Sequence, residues 1–213
     1  MPIGHAAFTP RFFITSTGRT ATKWLAWLMN HSDKAVVLHE NDSSECLVSS
    51  SHIENMLSYM SAYERKYTKF GVIIRDPVEV LNSQANRIHA AVHEKCFIHG
   101  GDFYQALKDY VDYHIRVRYP MSTDVMDVML HNGALPIDYR RFGDVEYVNR
   151  LVQRFGLDDL TVTEDMCANK LHKMKKVYDH YTDLDPRFQN VLDDHLQPFF
   201  DKWYPVAQSA LVS

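Results

Sequence analysis

Residues 12–24 read FFITSTGRTATKW. Phe12–Thr15 is a short apolar run of the kind that forms a buried strand. From Ala21 onward, Trp24, Leu25, Leu28 and Met29 recur at helical spacing. Between strand and helix lies a polar turn with one Gly, one Arg and four Thr across residues 15–22. A strand, a polar turn and a helix in that order present backbone N–H groups and the positive end of a helix dipole, which suit an anion. Thr17, Thr20 and Thr22 add hydroxyls, Arg19 and Lys23 add charge, and Gly18 and Ala21 keep the turn narrow. The ATP-binding loop G-x-x-x-x-G-K-[ST] is absent, because Ser16 stands where its first Gly would be and no Gly-Lys-Ser/Thr follows. A metal–triphosphate site is therefore not expected, and a plain polar turn without ligand is the competing reading.

Outward from this turn the same alternation repeats. Ala35–Leu38 predicts a second strand ending at His39-Glu40. After a polar stretch, Ile53, Leu57 and Met60 mark one face of a helix. Phe70–Ile74 predicts a third strand ending at Arg75. Asp76-Pro77-Val78-Glu79 then opens a helix as cap, first-turn proline and capping-box Glu, with Leu81, Ala85, Ile88 and Val92 as its buried stripe. Asp102–Tyr119 predicts a further helix, with Phe103, Leu107, Tyr110, Val111 and His114 in line. Ala134–Tyr139 predicts a fourth strand. The next helix carries Val148, Leu151, Val152 and Phe155 and stops at Gly156. Asp185-Pro186 opens a C-terminal helix that Pro198 is expected to kink.

Strands alternating with helices predict an α/β fold, a three-layer sandwich with a central, mostly parallel sheet and a helical C-terminal part. The 213 residues, 46% hydrophobic, suit a single domain over 1–213. In such folds ligands collect at the carboxyl ends of the strands. Three of the four expected ends are polar: Thr15–Arg19, His39-Glu40 and Arg75-Asp76.

The net charge of −4 argues against a nucleic-acid partner. The N-terminal residues lack the apolar core of a signal peptide, and no apolar run has the length of a membrane span. Three dispersed cysteines predict no disulfide framework and fit a cytoplasmic location.

The segment GVIIRDPVEVLNSQANR, residues 71–87, places Arg75 at a strand end and Ser83 eight positions later on a helix. A guanidinium fork and a hydroxyl there suit a second phosphate. Together the two segments resemble the sulfotransferases that use 3′-phosphoadenosine 5′-phosphosulfate (PAPS). Those proteins carry a loop such as K/R-S-G-T-T-W after the first strand, matched by Arg19-Thr20-Ala21-Thr22-Lys23-Trp24. They also carry R-D-P-x-x-x-x-x-S, matched by Arg75-Asp76-Pro77 through Ser83. A less specific likeness runs through residues 135–157, at Tyr139-Arg140-Arg141-Phe142 and Phe155-Gly156-Leu157. Ala21 replaces the family's usual Gly, Ser16 stands where many bacterial members have Gly, and the R-K-G-x-x-G segment of the cytosolic animal branch is missing.

The resemblance implies a P-loop NTPase-like sulfotransferase fold and sulfuryl transfer from PAPS to a hydroxyl or amine of a small-molecule or carbohydrate acceptor, with no metal required. Thr17, Gly18, Arg19, Thr20, Ala21, Thr22 and Lys23 would hold the 5′-phosphosulfate, and Arg75 and Ser83 the 3′-phosphate. Arg19 and Lys23 would also stabilise charge on the leaving oxygen. Glu40 would be the base, as many carbohydrate sulfotransferases place a Glu after this strand. His39 is the runner-up, since imidazole titrates near neutrality, and Asp42 comes third. A small-molecule kinase on the same scaffold and a non-catalytic nucleotide-binding protein are the alternatives.

Two clusters have plainer readings. His89, His93, Cys96 and His99 have zinc-compatible spacing, yet twelve histidines make a chance cluster the simpler account and no metal is expected. Lys170, Lys173, Lys175 and Lys176 read as a solvated helix face or, more sharply, as a lid over donor phosphates. Trp24 reads as core rather than as an adenine platform.

Overall fold

The computed structural model describes residues 10–18, 21–40, 45–50, 66–169 and 176–211. Five strands form one sheet: β1 (Phe12–Ser16), β2 (Val37–His39), β3 (Cys46–Val48), β4 (Lys69–Ile74) and β5 (Leu135–Asp138). Their order is β2-β3-β1-β4-β5, and every pairing is parallel. Phe12 sits opposite Cys46 on one side and Lys69 on the other, so β1 is central.

Side chains alternate across the sheet. Phe12, Ile14, Ile73 and Ile137 point to one face, where they pack with Leu25, Leu28 and Met29 of α1 (Thr22–Met29) and with Tyr147, Val148, Leu151 and Val152 of α5 (Val145–Arg154). Phe13, Leu47, Val72 and Ile74 point to the other. They meet Val125, Met126 and Met129 of α4 (Tyr119–His131) and Phe199 and Ala207 of α8 (Gln197–Ser209). A third apolar cluster joins α2 (Pro77–His99) and α3 (Phe103–Tyr113) to the C-terminal segment through Val80, Leu81, Ile88, Val111, Tyr181 and Phe188. Gly71 in β4 is required by packing. A Cβ there would lie 2.9 Å from both Ile137 Cδ1 and Phe155 Cζ.

The helix start at Asp76-Pro77 and the helix stop at Gly156 act as the sequence predicts. Asp76 Oδ1 accepts from the N–H groups of Val78 and Glu79, with Pro77 in the first turn. Asp144 caps α5 through the Tyr147 N–H, and Thr163 caps the short α6 (Glu164–Ala168) through the Met166 N–H. Gly156, at φ 93°, ends α5. Its N–H donates to Gln153 O and the Leu157 N–H to Val152 O, a Schellman pair.

Four features differ from expectation. β3 was not foreseen: it has only three residues, all buried, too few for a period to show. The expected helix 102–119 is α3 followed by a π-helical turn, His114–Arg118, and then α4, a helix the sequence reading passed over. Glu79 does not simply complete a capping box, since its carboxylate meets Arg75. At the C-terminus, Asp185 accepts from the Arg187 N–H in a turn, and helix α7 starts only at Phe188 and ends at Val191. A π-helical turn, Leu192–Leu196, links α7 to α8. Pro198 comes just after this π-helical turn, within a stretch that is helical from Phe188 to Ser209, and Pro205 lies further along α8. The helix expected around Ile53, Leu57 and Met60 lies outside the described residues.

Candidate anion site at the strand ends

From central β1 the chain leaves toward β2, and from its neighbour β4 it leaves toward β5. The carboxyl ends of β1 and β4 therefore flank a topological switch point, where open parallel sheets form a crevice for ligands. Ser16 lies opposite Ile73 in this pair. The turn after β1 and the Arg75-Asp76-Pro77 start of α2 consequently emerge side by side.

The β1 turn is held by its own chain. Ser16 is fully buried and its Oγ accepts from the Gly18 N–H at 3.2 Å. Gly18 has φ 95°, which a side chain would resist. Ala21 begins α1 in the left-handed region, at φ 57°, and gives no side-chain cap, unlike Asp76 and Asp144 at their helices. A Gly at this position would relieve strain that costs an Ala about 1 kcal/mol. Glu40 shares this backbone conformation, at φ 58°. Both residues follow the carboxyl ends of parallel strands, and strain of this kind gathers at functional sites. Arg19, Thr20 and Asp42 lie outside the described residues.

A chain of polar contacts runs along the mouth. Thr22 Oγ1 is 3.1 Å from His39 Nε2, and that nitrogen is 3.5 Å from Glu40 Oε1. The Glu40 carboxylate crosses to the end of β3. There it accepts from Ser49 Oγ at 2.5 Å and from both the N–H and the Oγ of Ser50 at 3.0 Å. The carbonyl of Ser50 accepts from Arg118 Nη2 at 3.3 Å. Arg118 in turn lies beside Gly18, 3.7 Å from where a Cβ on that residue would be. Burial holds the His39 imidazole below its ordinary pKa, the nearby Lys23 charge adds to this, and Glu40 opposes it.

Behind the turn, His114 is fully buried at the start of the π-helical turn. Its Nδ1 is 2.8 Å from the Tyr110 carbonyl, which can only accept, so Nδ1 carries the proton. Nε2 then accepts from Gln84 Nε2 at 3.0 Å. Gln84 is buried, and its Oε1 lies on the Gly18 side. Burial pushes the His114 pKa down to about 4, the Arg118 charge contributes in the same direction, and the Tyr110 bond opposes both. With the folded value below the unfolded one, the neutral ring's contribution to stability is complete above about pH 6.5. It is lost as the pH falls toward 4. Urea midpoints measured across this interval should fall for the native protein and fall less for His114→Gln. Parallel curves would show that the ring does not govern acid stability.

At the β4 end, Arg75 Nε donates to Glu79 Oε2 at 3.0 Å, and its guanidinium lies 4.2 Å over the Tyr139 ring. Ser83 is half-buried on α2, about 10 Å along the helix axis from the cap. Glu79 and Ser83 lie one turn apart on α2, and the Arg75 side chain meets the first of them. Arg140 extends the basic surface: it pairs with Asp76 at 3.3 Å and donates to Tyr204 Oη at 3.0 Å. Lys23 is exposed on the first turn of α1.

Sequence reasoning missed Ser49, Ser50, Gln84, His114 as a site neighbour, and Arg118. Ser49 and Ser50 follow the unforeseen β3, while Arg118 ends the unforeseen π-helical turn. No local pattern marks any of them. Trp24 is core, as expected: its Nε1 donates to Met166 O and its ring packs on Phe142 at 5.1 Å. His89 and His93 pack against Phe103, and His89 also against Tyr178. Among the described residues no group of three or more His, Cys, Asp or Glu is placed to hold a metal ion. Among them, too, no helix is long and apolar enough to cross a membrane. Lys170, Lys173 and Lys175 lie outside the described residues, and Lys176 pairs with Asp179 at 2.7 Å.

Comparison of the chain with protein-family models, with curated proteins and with solved structures returns no match.

Proposed function

We propose that the protein is a PAPS-dependent sulfotransferase of P-loop-like fold acting on a hydroxyl or amine of a small-molecule or carbohydrate acceptor. One observation carries the reading. The two sequence segments that resemble the family, far apart in the chain, emerge from neighbouring strands β1 and β4 at the switch point of a parallel sheet. The turn at 17–23 then takes the 5′-phosphosulfate, and Arg75 with Ser83 the 3′-phosphate. Arg75 reaches that role by exchanging Glu79 for phosphate while it stays stacked on Tyr139.

In the reaction the acceptor oxygen or nitrogen bonds to sulfur as the bond from sulfur to the bridging oxygen breaks. Adenosine 3′,5′-bisphosphate leaves with the electron pair. Lys23 and Arg19, with the backbone donors of the turn, stabilise the negative charge on that oxygen. The acceptor proton passes to Glu40, beside which His39 stands uncharged at neutral pH.

Titration calorimetry with adenosine 3′,5′-bisphosphate, beside ATP with Mg²⁺, tests the donor site. The bisphosphate should bind, and Arg75→Ala should weaken it by about 30-fold or more, the size expected for a lost charge-assisted pair. A melting curve shows that the variant is folded. Binding of ATP alone, or of neither nucleotide, would overturn the reading.

A further inference from the structure

We infer that Arg118 is a ligand-contacting cation of this site, directed at the terminal tetrahedral oxyanion of the bound nucleotide rather than at its 3′-phosphate end. This rests on the donor reading above. It assigns a role to a residue that no motif marks.

Arg118 closes the π-helical turn His114–Arg118. Such turns carry one extra residue, which rotates the side chains that follow, and they recur at functional sites. Here the turn is anchored at both ends. His114 and Tyr119 are fully buried, and His114 is bonded to Tyr110 O and Gln84. The half-buried guanidinium is therefore carried by a fixed support.

Its surroundings decide what it meets. Nη2 lies 3.7 Å from the point a Cβ on Gly18 would occupy, so the cation stands in contact range of the β1 turn. The same nitrogen donates to Ser50 O, and Ser50 donates its N–H and Oγ to Glu40. One residue, Ser50, thus separates Arg118 from the proposed base. The atom under attack must lie between base and leaving group, so a cation at this spacing faces the transferred group. Arg75 sits at the end of β4, where the other end of the nucleotide is proposed. A guanidinium remains charged at any working pH and presents its N–H groups in a planar fork suited to a tetrahedral oxyanion.

The test compares PAPS with adenosine 3′,5′-bisphosphate, which lacks the sulfuryl group, on the full chain carrying Arg118→Ala or Arg118→Lys. Arg118→Ala should weaken PAPS by about tenfold or more and the bisphosphate by less than about threefold, with Arg118→Lys between the native protein and Arg118→Ala. Retained bisphosphate binding also shows that the fold survives. Equal weakening of both ligands, or no weakening of either, overturns the inference while leaving the donor reading intact. A native protein that binds ATP with Mg²⁺ but neither adenosine bisphosphate ligand overturns the donor reading alone. ATP against AMP then replaces the pair, and selective loss of ATP in Arg118→Ala sustains the role of the cation. A native protein that binds none of the four overturns both.

Discussion

Glu40→Gln is expected to lower sulfuryl transfer by about 10³-fold while leaving adenosine 3′,5′-bisphosphate affinity within a few-fold of native, the range for loss of a general base. The carboxylate is brought to the crevice by three donors at the end of β3: Ser49 Oγ, Ser50 N–H and Ser50 Oγ. Both hydroxyls can turn away as a proton arrives, so the arrangement orients the base without blocking it. A Gln amide cannot take the proton, and its NH₂ would face donors rather than acceptors. His39→Asn should cost about tenfold or less, because the uncharged ring stands beside Glu40 without taking the acceptor proton. Burial keeps His39 below its ordinary pKa, so it is uncharged at pH 7. Its contribution to stability is present above about pH 6.5 and is lost as the pH falls through the lowered folded value. The reverse order of effects, with His39→Asn losing about 10³-fold and Glu40→Gln little, would move the proton to the imidazole. No effect from either would sink the catalytic reading and leave a nucleotide-binding protein.

What the sequence made legible was local. The β1 turn, the Asp76-Pro77 start of α2 and the Gly156 stop each depend on a few adjacent residues, and each lies where the pattern placed it. The four strands it identified took their place in an α/β fold with a parallel sheet, but β3 escaped. Cys46-Leu47-Val48 is fully buried between polar Glu45 and Ser49, and three residues cannot show an alternation. That omission hid the partners of Glu40. Arg118 escaped for a different reason. Read as a helix, residues 103–119 give an acceptable stripe with His114 in it. The helix widens at His114–Arg118, where buried His114 meets Gln84, 30 positions earlier, a contact that the stripe does not announce. The site was legible as two segments. Their joining through Ser50, Arg118 and Gln84 depends on contacts between residues far apart in the chain, which no spacing rule encodes.

Asn86→Ala should lower the melting temperature by about 6 °C, corresponding to about 2 kcal/mol for a chain of this size. Asn86 is buried on α2, one turn beyond Ser83, and its amide substitutes for a strand partner. Oδ1 accepts from the N–H groups of Val177 at 2.6 Å and Tyr178 at 2.9 Å, while Nδ2 donates to Tyr178 O at 3.0 Å. Asn82 adds a parallel tie, its Oδ1 accepting from the Tyr181 N–H at 2.8 Å. An alanine would leave three backbone groups of the 177–178 segment without these partners. Val177 is exposed, so water can replace part of the loss, which is why the expected cost stays below that of three fully buried groups. Amide exchange at Val177 and Tyr178 should therefore accelerate by at least about 30-fold. Amides in the middle of β1 and β4 should change only as far as global stability does. Asn86→Asp separates the two halves of the tie: it keeps the acceptor for both N–H groups but aims its second oxygen at the Tyr178 and Asn82 carbonyls. It should lose nearly as much stability as alanine. Unchanged exchange at 177–178 in Asn86→Ala would show that Tyr178 packing on His89, rather than the amide, holds the segment to α2. The segment carries the end of the basic run at Lys176. If that run covers donor phosphates, Asn86→Ala will also weaken adenosine 3′,5′-bisphosphate, and the weakening will diminish as salt is raised. A nucleotide affinity indifferent to Asn86→Ala confines the tie to stability and leaves the basic run a solvated surface.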